Sequence, residues 1–338
     1  MYNDFYRFTG KPFQLNPDPQ FFFGSKGHNR AMSYLDYGMS QEEGFIVITG
    51  EIGAGKTTLV RRLCGALDPA RVTVAHVVNT TLCGDDILRM VAAGFGLSFD
   101  KIGKAALLLR LEHFLQQCHV ERRRPLLIVD EAQNLTREAL EELRMLSNLQ
   151  AGGRPLLQTF LLGQPEFRAV LLDDSLLQLR QRVIAACHLG PLDAAETRSY
   201  IEHRLQTVGW QGDPRIADDA FAAIHAASEG IPRRINTLCD RLFLMGFLEG
   251  LHAFDASHVA AVVADIEQEF AAPLPRDSRM TATTAAAPGS ALDGLQPGEL
   301  GEIEERVSRM ESSVGMLLDL IRKMLPVQRT KGATAKTP

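Results

Sequence analysis

The glycine-rich stretch GEIGAGKTT at residues 50–58 limits the possible folds of this chain more than any other feature. Its glycines allow the backbone to turn so tightly that successive amide groups point toward one anion. A short apolar, β-branched run at residues 44–49 precedes it, and residues 58–64 have helical character. A strand, a glycine-rich turn and a helix in this order predict a phosphate-binding loop at the end of a β-strand.

Each residue of this loop has a predicted task in binding a nucleotide. Lys56 brings a positive charge to the β and γ phosphates, and Thr57 offers its hydroxyl oxygen to a magnesium ion. The glycines and their neighbours supply backbone amides. The predicted nucleotide-binding residues are Gly50, Glu51, Ile52, Gly53, Ala54, Gly55, Lys56, Thr57 and Thr58.

A second motif, LLIVDE at residues 126–131, supplies the carboxylates that a nucleotide hydrolase needs. Its apolar strand places Asp130 at the carboxyl edge of a sheet, where it can hold magnesium through water, beside Thr57. Glu131 is the candidate catalytic base that orients and polarises the attacking water. The spacing between the two motifs leaves room for an extra strand, which is typical of hydrolases with a catalytic glutamate and disfavours a small-molecule kinase.

Three further sites are candidates for sensing or stabilising the phosphates. Gln164 ends a predicted strand and can probe the γ phosphate or the attacking water; simple strand-end polarity is the alternative. Arg180 and Arg182 precede the last predicted strand, and either is a candidate arginine finger for a neighbouring subunit, or else an ordinary ion-pairing arginine. Arg233 follows a proline at a helix start, which aims it as a candidate sensor of the γ phosphate, with a surface arginine as the alternative.

Alternating strand and helix patterns over the first part of the chain predict an α/β fold with a parallel sheet between helices. The predicted strands are 44–49, 72–78, 125–130, 156–162 and 183–189, and the predicted helices are 58–64, 85–95, 104–120, 136–149, 193–208, 218–228, 232–249 and 256–270. After Pro191 the pattern is helical only. The aromatic, proline-rich residues 1–44 are expected to pack onto the core.

These patterns divide the chain into five predicted units. They are a P-loop core at 1–190, an all-α lid at 191–270, a disordered linker at 271–299, a heptad helix at 300–325 and a disordered tail at 326–338. Apolar residues in the heptad helix alternate at spacings of three and four. This spacing predicts either a coiled-coil strand or an amphipathic helix that docks on another surface.

Composition restricts the class of protein further. With 338 residues, 45% of them hydrophobic, the chain can bury a large core, and its net charge of −5 gives no global basic surface for nucleic acid. The five cysteines are scattered along the chain and odd in number, which indicates a reducing compartment. Cys118 and His119 lie near His113 in sequence, but packing of one helix explains them better than a metal site. We find neither a signal-peptide pattern nor an apolar run of about 18 residues, and we therefore expect a cytoplasmic protein.

Together these motifs resemble those of the AAA+ ATPases. The resemblance is closer to the secretion ATPases of the general secretion pathway protein A type, and within them to the subgroup found at exosortase and exopolysaccharide loci. It covers residues 1–270. The specific signs are Pro12-Phe13, Asn16-Pro-Asp-Pro19, Phe22-Phe23, Ser25, His28, Tyr37-Gly38, Gly44-Phe45 and the run DEAQNL at residues 130–135.

The resemblance implies an oligomeric enzyme that uses ATP and Mg²⁺ to assemble or regulate an export apparatus with a protein partner. It implies that Gln164 and Arg233 are the two sensors, that Arg180 or Arg182 is the finger, and that residues 23–30 line the adenine side. Fuller-length relatives carry a membrane span and a periplasmic domain after the lid, where this chain has the linker and heptad helix. We therefore expect any attachment to the inner membrane to occur through a partner.

Two other classes of function remain open at this stage. A DNA-associated helper ATPase of the transposition target-selection type has similar motifs. The arginine clusters at 61–62 and 122–124 are the sequence feature that favours it, because arginines can bind DNA phosphates. A nucleotide-gated adaptor that does not hydrolyse ATP is the third possibility.

Overall fold

The computed structural model describes residues 2–16, 18–41, 43–78 and 84–271, which all fall within one compact unit. The predicted heptad helix and tail lie outside the described residues, as does the predicted linker apart from Ala271. Among the described residues, no helix is both long enough and apolar enough to cross a bilayer.

A five-stranded, wholly parallel sheet forms the centre of the fold. Its strands are β1 (Phe45–Gly50), β2 (Val72–Val77), β3 (Arg124–Val129), β4 (Gln158–Gly163) and β5 (Val183–Leu189), in the spatial order β2-β3-β4-β1-β5. All six residues of β1 are buried, because it lies between two strands and under helices on both faces. The predicted α/β fold is confirmed. The extra strand predicted from the motif spacing is β2, which lies between the two motif strands in sequence, whereas β4 lies between them in the sheet.

Helices cover both faces of this sheet. They are α1 (Lys26–Gln41), α2 (Lys56–Ala66), α3 (Gly84–Gly94), α4 (Lys104–Val120), α5 (Arg137–Leu146) and α6 (Glu166–Leu171). Alternate residues of β1 point to opposite faces, so that Ile46 and Ile48 pack with α1 and α2, whereas Phe45 and Val47 pack with α3, α4 and α5. The result is a three-layer arrangement.

The chain after the sheet is almost entirely helical, and we call residues 194–271 the helical region. Its helices are α7 (Ala194–Thr207), α8 (Asp218–Ser228), α9 (Pro232–Glu249) and α10 (Ala256–Ala271). Two-residue strands at Arg215–Ile216 and Ala253–Phe254 pair in parallel beside these helices. Their buried side chains form a core distinct from the two cores that flank the sheet.

The described residues before α1, which we call the N-terminal segment, pack mainly on the helical region. Tyr2, Tyr6, Phe8 and Phe13 are buried in the same core as Phe243 of α9. The Tyr2 hydroxyl donates to Asp240 Oδ1 at 2.6 Å, and the Tyr6 hydroxyl donates to the Leu251 carbonyl oxygen at 2.9 Å. Predicted packing of this segment therefore occurs, but against helices that follow it by some two hundred residues.

Candidate nucleotide-binding site

The loop between β1 and α2 has the backbone geometry that its glycines predict. Gly53 and Gly55 have φ angles of 85° and 97°, in the left-handed region that side chains disfavour. A Cβ atom on Gly50 would lie 2.6 Å from the carbonyl oxygen of Leu189 on β5. Glycine is therefore strongly favoured at these positions. The loop leads into the N-terminus of α2, and the free amides of a helix N-terminus suit an anion.

Lys56 extends back over this loop from the first turn of α2. Its buried ammonium group donates to the Gly50 carbonyl oxygen at 2.6 Å and to the Glu51 carbonyl oxygen at 3.1 Å. Burial lowers the pKa of Lys56, while the nearby carboxylates of Glu131 and Asp130 act in the opposite direction. The loop thus concentrates positive charge where phosphate oxygens would bind.

Thr57 and Asp130 are brought together from the two motifs. The Thr57 hydroxyl donates to Asp130 Oδ2 at 2.8 Å, and Asp130 itself is only 4% exposed directly after β3. A hydroxyl and a carboxylate beside a phosphate-binding loop form an all-oxygen donor set, which suits Mg²⁺. These two side chains therefore fit the magnesium that the sequence predicts.

Glu131 lies next to Asp130 and contacts two glutamine side chains. Its Oε2 atom accepts from Gln133 Nε2 at 2.6 Å and from Gln164 Nε2 at 3.2 Å. Gln164 follows β4, which pairs directly with β3, so that the carboxyl ends of the two strands are neighbours. The structure therefore brings Gln164 to the candidate base, as its place at a strand end predicts.

Arg233 approaches the loop from the first turn of α9. Its backbone N–H donates to the Gly53 carbonyl oxygen at 3.2 Å, and its side chain lines the same cavity as Lys56 and Thr57. Pro232 occupies the first position of α9 and fixes the direction in which that helix begins. The helical region thus contacts the phosphate loop directly.

A cavity of about 210 Å³ lies between the phosphate loop, the N-terminal segment and the helical region. The aromatic residues Phe21, Phe22 and Phe23 line it. The guanidinium of Arg204 lies 4.7 Å from the centre of the Phe21 ring, and its Nε donates to the Pro12 carbonyl oxygen at 2.6 Å. Aromatic and apolar surface next to a phosphate loop offers a site for a nucleobase.

His28 joins the N-terminal segment to the phosphate loop. Its Nε2 lies 3.1 Å from the Ala54 carbonyl oxygen, which can only accept, so Nε2 carries the proton. Nδ1 then accepts from the Ser25 hydroxyl at 2.7 Å. Burial lowers the pKa of His28, which favours this neutral form. The His28 ring therefore links Ser25 to Ala54 of the phosphate loop through two hydrogen bonds.

Arg180 and Arg182 do not join this cluster. Arg182 lies at the start of β5, where its carbonyl oxygen accepts from the Phe45 N–H, so a strand length of roughly 20 Å separates it from the loop. Its guanidinium donates to the Ser147 hydroxyl at 3.0 Å, and that of Arg180 donates to the Leu172 carbonyl oxygen at 3.1 Å. In one chain neither arginine reaches the phosphates, and a role toward a neighbouring subunit stays a prediction.

Several residues at the site were missed by sequence reasoning. Gln133 also bonds the backbone of Gln164, and Phe21 and Arg204 meet across a large distance in the chain. The DEAQ run at 130–133 was the available signal for Gln133, since a glutamine two residues after Glu131 is near enough in sequence to contact its carboxylate. No comparable signal marked Arg204. Among the residues described, no group of three or more His, Cys, Asp or Glu side chains could hold a metal, so His113, Cys118 and His119 form none.

Comparison with known families identifies the part of the chain that carries this site. Residues 39–171 match the family model of the AAA domain. This part of the chain is similar to AAA domains. The matched residues include the phosphate loop, both motif carboxylates and Gln164. The helical region, including Arg233, lies beyond the matched residues.

A known protein is similar to this chain over most of its length. General secretion pathway protein A of Aeromonas hydrophila is 37% identical over 274 residues, which are 80% of this chain and 50% of that protein. This chain therefore spans about half the length of the relative.

Solved structures resemble the fold at lower identity. The ORC2 protein of Aeropyrum pernix, in ADPNP–ADP complexes, is 18% identical with a TM-score of 0.56, covering 75% of this chain and 71% of that one. Cdc6p of Pyrobaculum aerophilum is 14% identical with a TM-score of 0.58, covering 78% and 74% of the respective chains. These similarities concern the fold alone, and they cover more of the chain than the residues that match the AAA domain.

Proposed function

We propose that this protein binds Mg-ATP between the phosphate loop and the helical region, and that it hydrolyses the γ phosphate with Glu131 as the base. The observation that supports this most directly is the convergence of Lys56, Thr57, Asp130 and Glu131 at one edge of the sheet. ORC2, which shares the fold, was solved with ADPNP and ADP. The loop amides and Lys56 would neutralise phosphate charge, as they do in P-loop enzymes generally.

The remaining residues divide the work of binding and hydrolysis. Thr57 and Asp130 would hold Mg²⁺, whose chemistry is to neutralise charge on the β and γ phosphate oxygens. Glu131 accepts a proton from the attacking water, and Gln164 orients that water. Arg233 senses the γ phosphate from the helical region, which we propose acts as a lid over the nucleotide.

We further propose that the ATPase cycle assembles or regulates a secretion system, specifically an exopolysaccharide-export or exosortase-associated one. Similarity to General secretion pathway protein A supports a secretion role, and the N-terminal residue pattern supports the narrower one. In this proposal the protein is a cytoplasmic oligomer in which Arg180 or Arg182 reaches the neighbouring active site. The heptad helix would dimerise or dock, and a partner would bring the protein to the inner membrane.

The DNA-associated alternative has less support from the basic clusters. Arg123 donates to the Thr73 hydroxyl and pairs with Glu121, Arg124 contacts the Met39 carbonyl oxygen, and Arg62 lies over the Phe22 ring. Side chains engaged in such contacts are less available to phosphates of DNA. A gel shift at several salt concentrations, with and without ATP, tests this alternative, because DNA binding through phosphates weakens steeply with salt.

The substitution Glu131→Gln tests hydrolysis itself. It keeps the size of the side chain but removes the base, so we expect kcat for ATP to fall about 100-fold or more. The affinity for Mg-ATP should change little, because phosphate binding depends on Lys56 and the loop. The exposed Glu138→Gln, on the following helix, is the matched control and should leave turnover unchanged. Equal rates for wild type and Glu131→Gln would contradict the proposal and favour an adaptor without hydrolysis.

A further inference from the structure

Gln133 bridges the candidate base and the strand that carries Gln164. Its Nε2 donates to Glu131 Oε2 at 2.6 Å, and its Oε1 accepts from the backbone N–H of Gln164 at 2.9 Å. Because Gln164 Nε2 also donates to Glu131 Oε2, the three residues form a closed ring of hydrogen bonds that includes the Gln164 backbone N–H. We propose that Gln133 is the positioning residue that sets the direction of Glu131 and ties it to the end of β4.

The chemistry of the groups fixes the orientation of this amide. A backbone N–H can only donate, so the side-chain oxygen of Gln133 must face Gln164. The amide NH₂ group then faces the Glu131 carboxylate, which accepts hydrogen bonds when ionised. In the reversed orientation the amide NH₂ group would face the N–H of Gln164, donor against donor, and the amide oxygen would face the Glu131 carboxylate, acceptor against acceptor. One side chain therefore carries both contacts, and each end has one possible partner type.

Local backbone geometry explains why Glu131 needs such a partner. Glu131 has φ 55° and ψ 40°, a left-handed conformation that a residue with a side chain seldom adopts. A single 3₁₀ turn, Ala132–Asn134, follows it and places Gln133 beside the carboxylate. Residues in sparsely populated conformations persist only where their surroundings hold them. The bridge through Gln133 is one of the contacts that hold Glu131.

The length and polarity of glutamine are both required for this task. Asparagine is shorter by one methylene, and methionine has the right length but lacks both polar ends. Glutamate keeps the oxygen toward Gln164 but replaces the donor with a second carboxylate oxygen facing Glu131. Since β3 and β4 are hydrogen-bonded neighbours, a glutamine here makes the base follow any shift at the end of β4.

The inference rests on the proposed function, because a positioning role requires that Glu131 be the base. The test compares Gln133→Met and Gln133→Glu with wild-type full-length protein in steady-state ATP hydrolysis and Mg-ATP binding. For Gln133→Met we expect kcat to fall about tenfold, the low end of the effect of removing an orienting hydrogen bond. KM and the Kd for Mg-ATP should stay within about twofold, because the phosphate loop is unaffected. Gln133→Glu should lose more activity, since it places like charges together.

Controls separate failure of the inference from failure of the proposed function. Asn134→Ala changes an exposed side chain of the same turn and should keep wild-type kcat. If Glu131→Gln abolishes turnover but Gln133→Met retains wild-type kcat, the positioning role is wrong and the proposed function stands. A rise in Kd that matches the fall in kcat, or a large loss of thermal stability, would also overturn the inference, because either indicates a general structural role. Unchanged turnover in Glu131→Gln contradicts the proposed function itself.

Discussion

Gly53 is a residue of the phosphate loop at which the helical region approaches closely. A Cβ atom added there would lie 2.3 Å from the Cβ of Arg233, far inside contact distance. The residue also has a φ of 85°, and its carbonyl oxygen accepts from the Arg233 N–H. Its lack of a side chain therefore serves two purposes: the shape of the loop and the approach of α9.

Replacing Gly53 with alanine should weaken nucleotide binding. The left-handed conformation costs an alanine about 1–2 kcal/mol, and the clash with Arg233 adds overpacking of about 1–3 kcal/mol. Relief of the clash requires α9 to move away, and we expect the Kd for Mg-ATP to rise about tenfold or more, measured by titration calorimetry.

Gly96→Ala provides the matched control for this substitution. Gly96 has a φ of 75°, and an added Cβ would meet nothing within 4 Å. It should therefore lose a similar amount of stability to backbone strain but keep its nucleotide affinity. Equal affinities for Gly53→Ala and Gly96→Ala would contradict the idea that close approach of Arg233 to the loop matters for binding.

At the scale of elements, the start of α7 is hydrogen-bonded to the start of α1. Asp193 and Glu196 form a capping box, in which Asp193 Oδ1 accepts from the Glu196 N–H at 2.7 Å. Glu196 Oε1 also accepts from the backbone N–H of Lys26, the first residue of α1, at 2.8 Å. The Glu196 carboxylate thus links the two places where the chain passes between the helical region and the sheet layers: the start of α1 and the start of α7.

Glu196→Ala should destabilise the protein by about 1–2 kcal/mol, because it breaks the capping box and leaves the Lys26 N–H without this partner. Urea unfolding measures the difference. The control is Glu202→Ala on the same helix, where the partner Arg198 is 48% exposed and the ion pair should contribute less than about 1 kcal/mol. A smaller loss for Glu196→Ala than for Glu202→Ala would show that this junction does not stabilise the fold.

Element positions followed closely from sequence for the buried strands, which are continuous apolar runs, and for most of the longer helices. The predicted strand 183–189 and the helices 104–120, 218–228 and 232–249 agree with the structure, and the other main strands differ by at most two residues at either end. Helix α1 was not predicted, because its two glycines and polar residues weaken the helical signal. Gly38 is accepted there because α1 presses on β1: a Cβ would lie 1.8 Å from Ile46 Cδ1. Such tertiary contact cannot be read from local pattern.

The candidate site was predictable to the extent that strand ends define it. Asp130 and Gln164 follow neighbouring parallel strands, and Lys56 begins the helix after a third, so the topology alone brings them to one edge. The bridging role of Gln133 depends on a left-handed turn at Glu131, for which the sequence has no marker. The same is true of Arg204, whose partners in the N-terminal segment are distant in the chain.

At the scale of the whole molecule, the nucleotide cavity is enclosed by three parts that are far apart in sequence. The phosphate loop, the aromatic residues 21–23 and the start of α9 all line it. The N-terminal segment is itself packed into the core of the helical region. A ligand that contacts all three parts stabilises the described unit as a whole, since it binds the folded protein and not the unfolded chain.

Mg-ATP should therefore raise the melting temperature in one cooperative step. At 100 times the Kd, mass action contributes about 2.7 kcal/mol. For the unit Met1–Pro273 that corresponds to about 5 °C, measurable by differential scanning calorimetry.

Lys56→Ala should abolish most of the shift, because it removes the ammonium group beside the phosphates. Lys104→Ala, which removes surface ion pairs with Asp85 and Glu142, is the control and should keep the shift. Chelation of magnesium should reduce it in the wild type, because Thr57 and Asp130 then hold no ion against the phosphates. An undiminished shift in Lys56→Ala would place the nucleotide elsewhere than the loop.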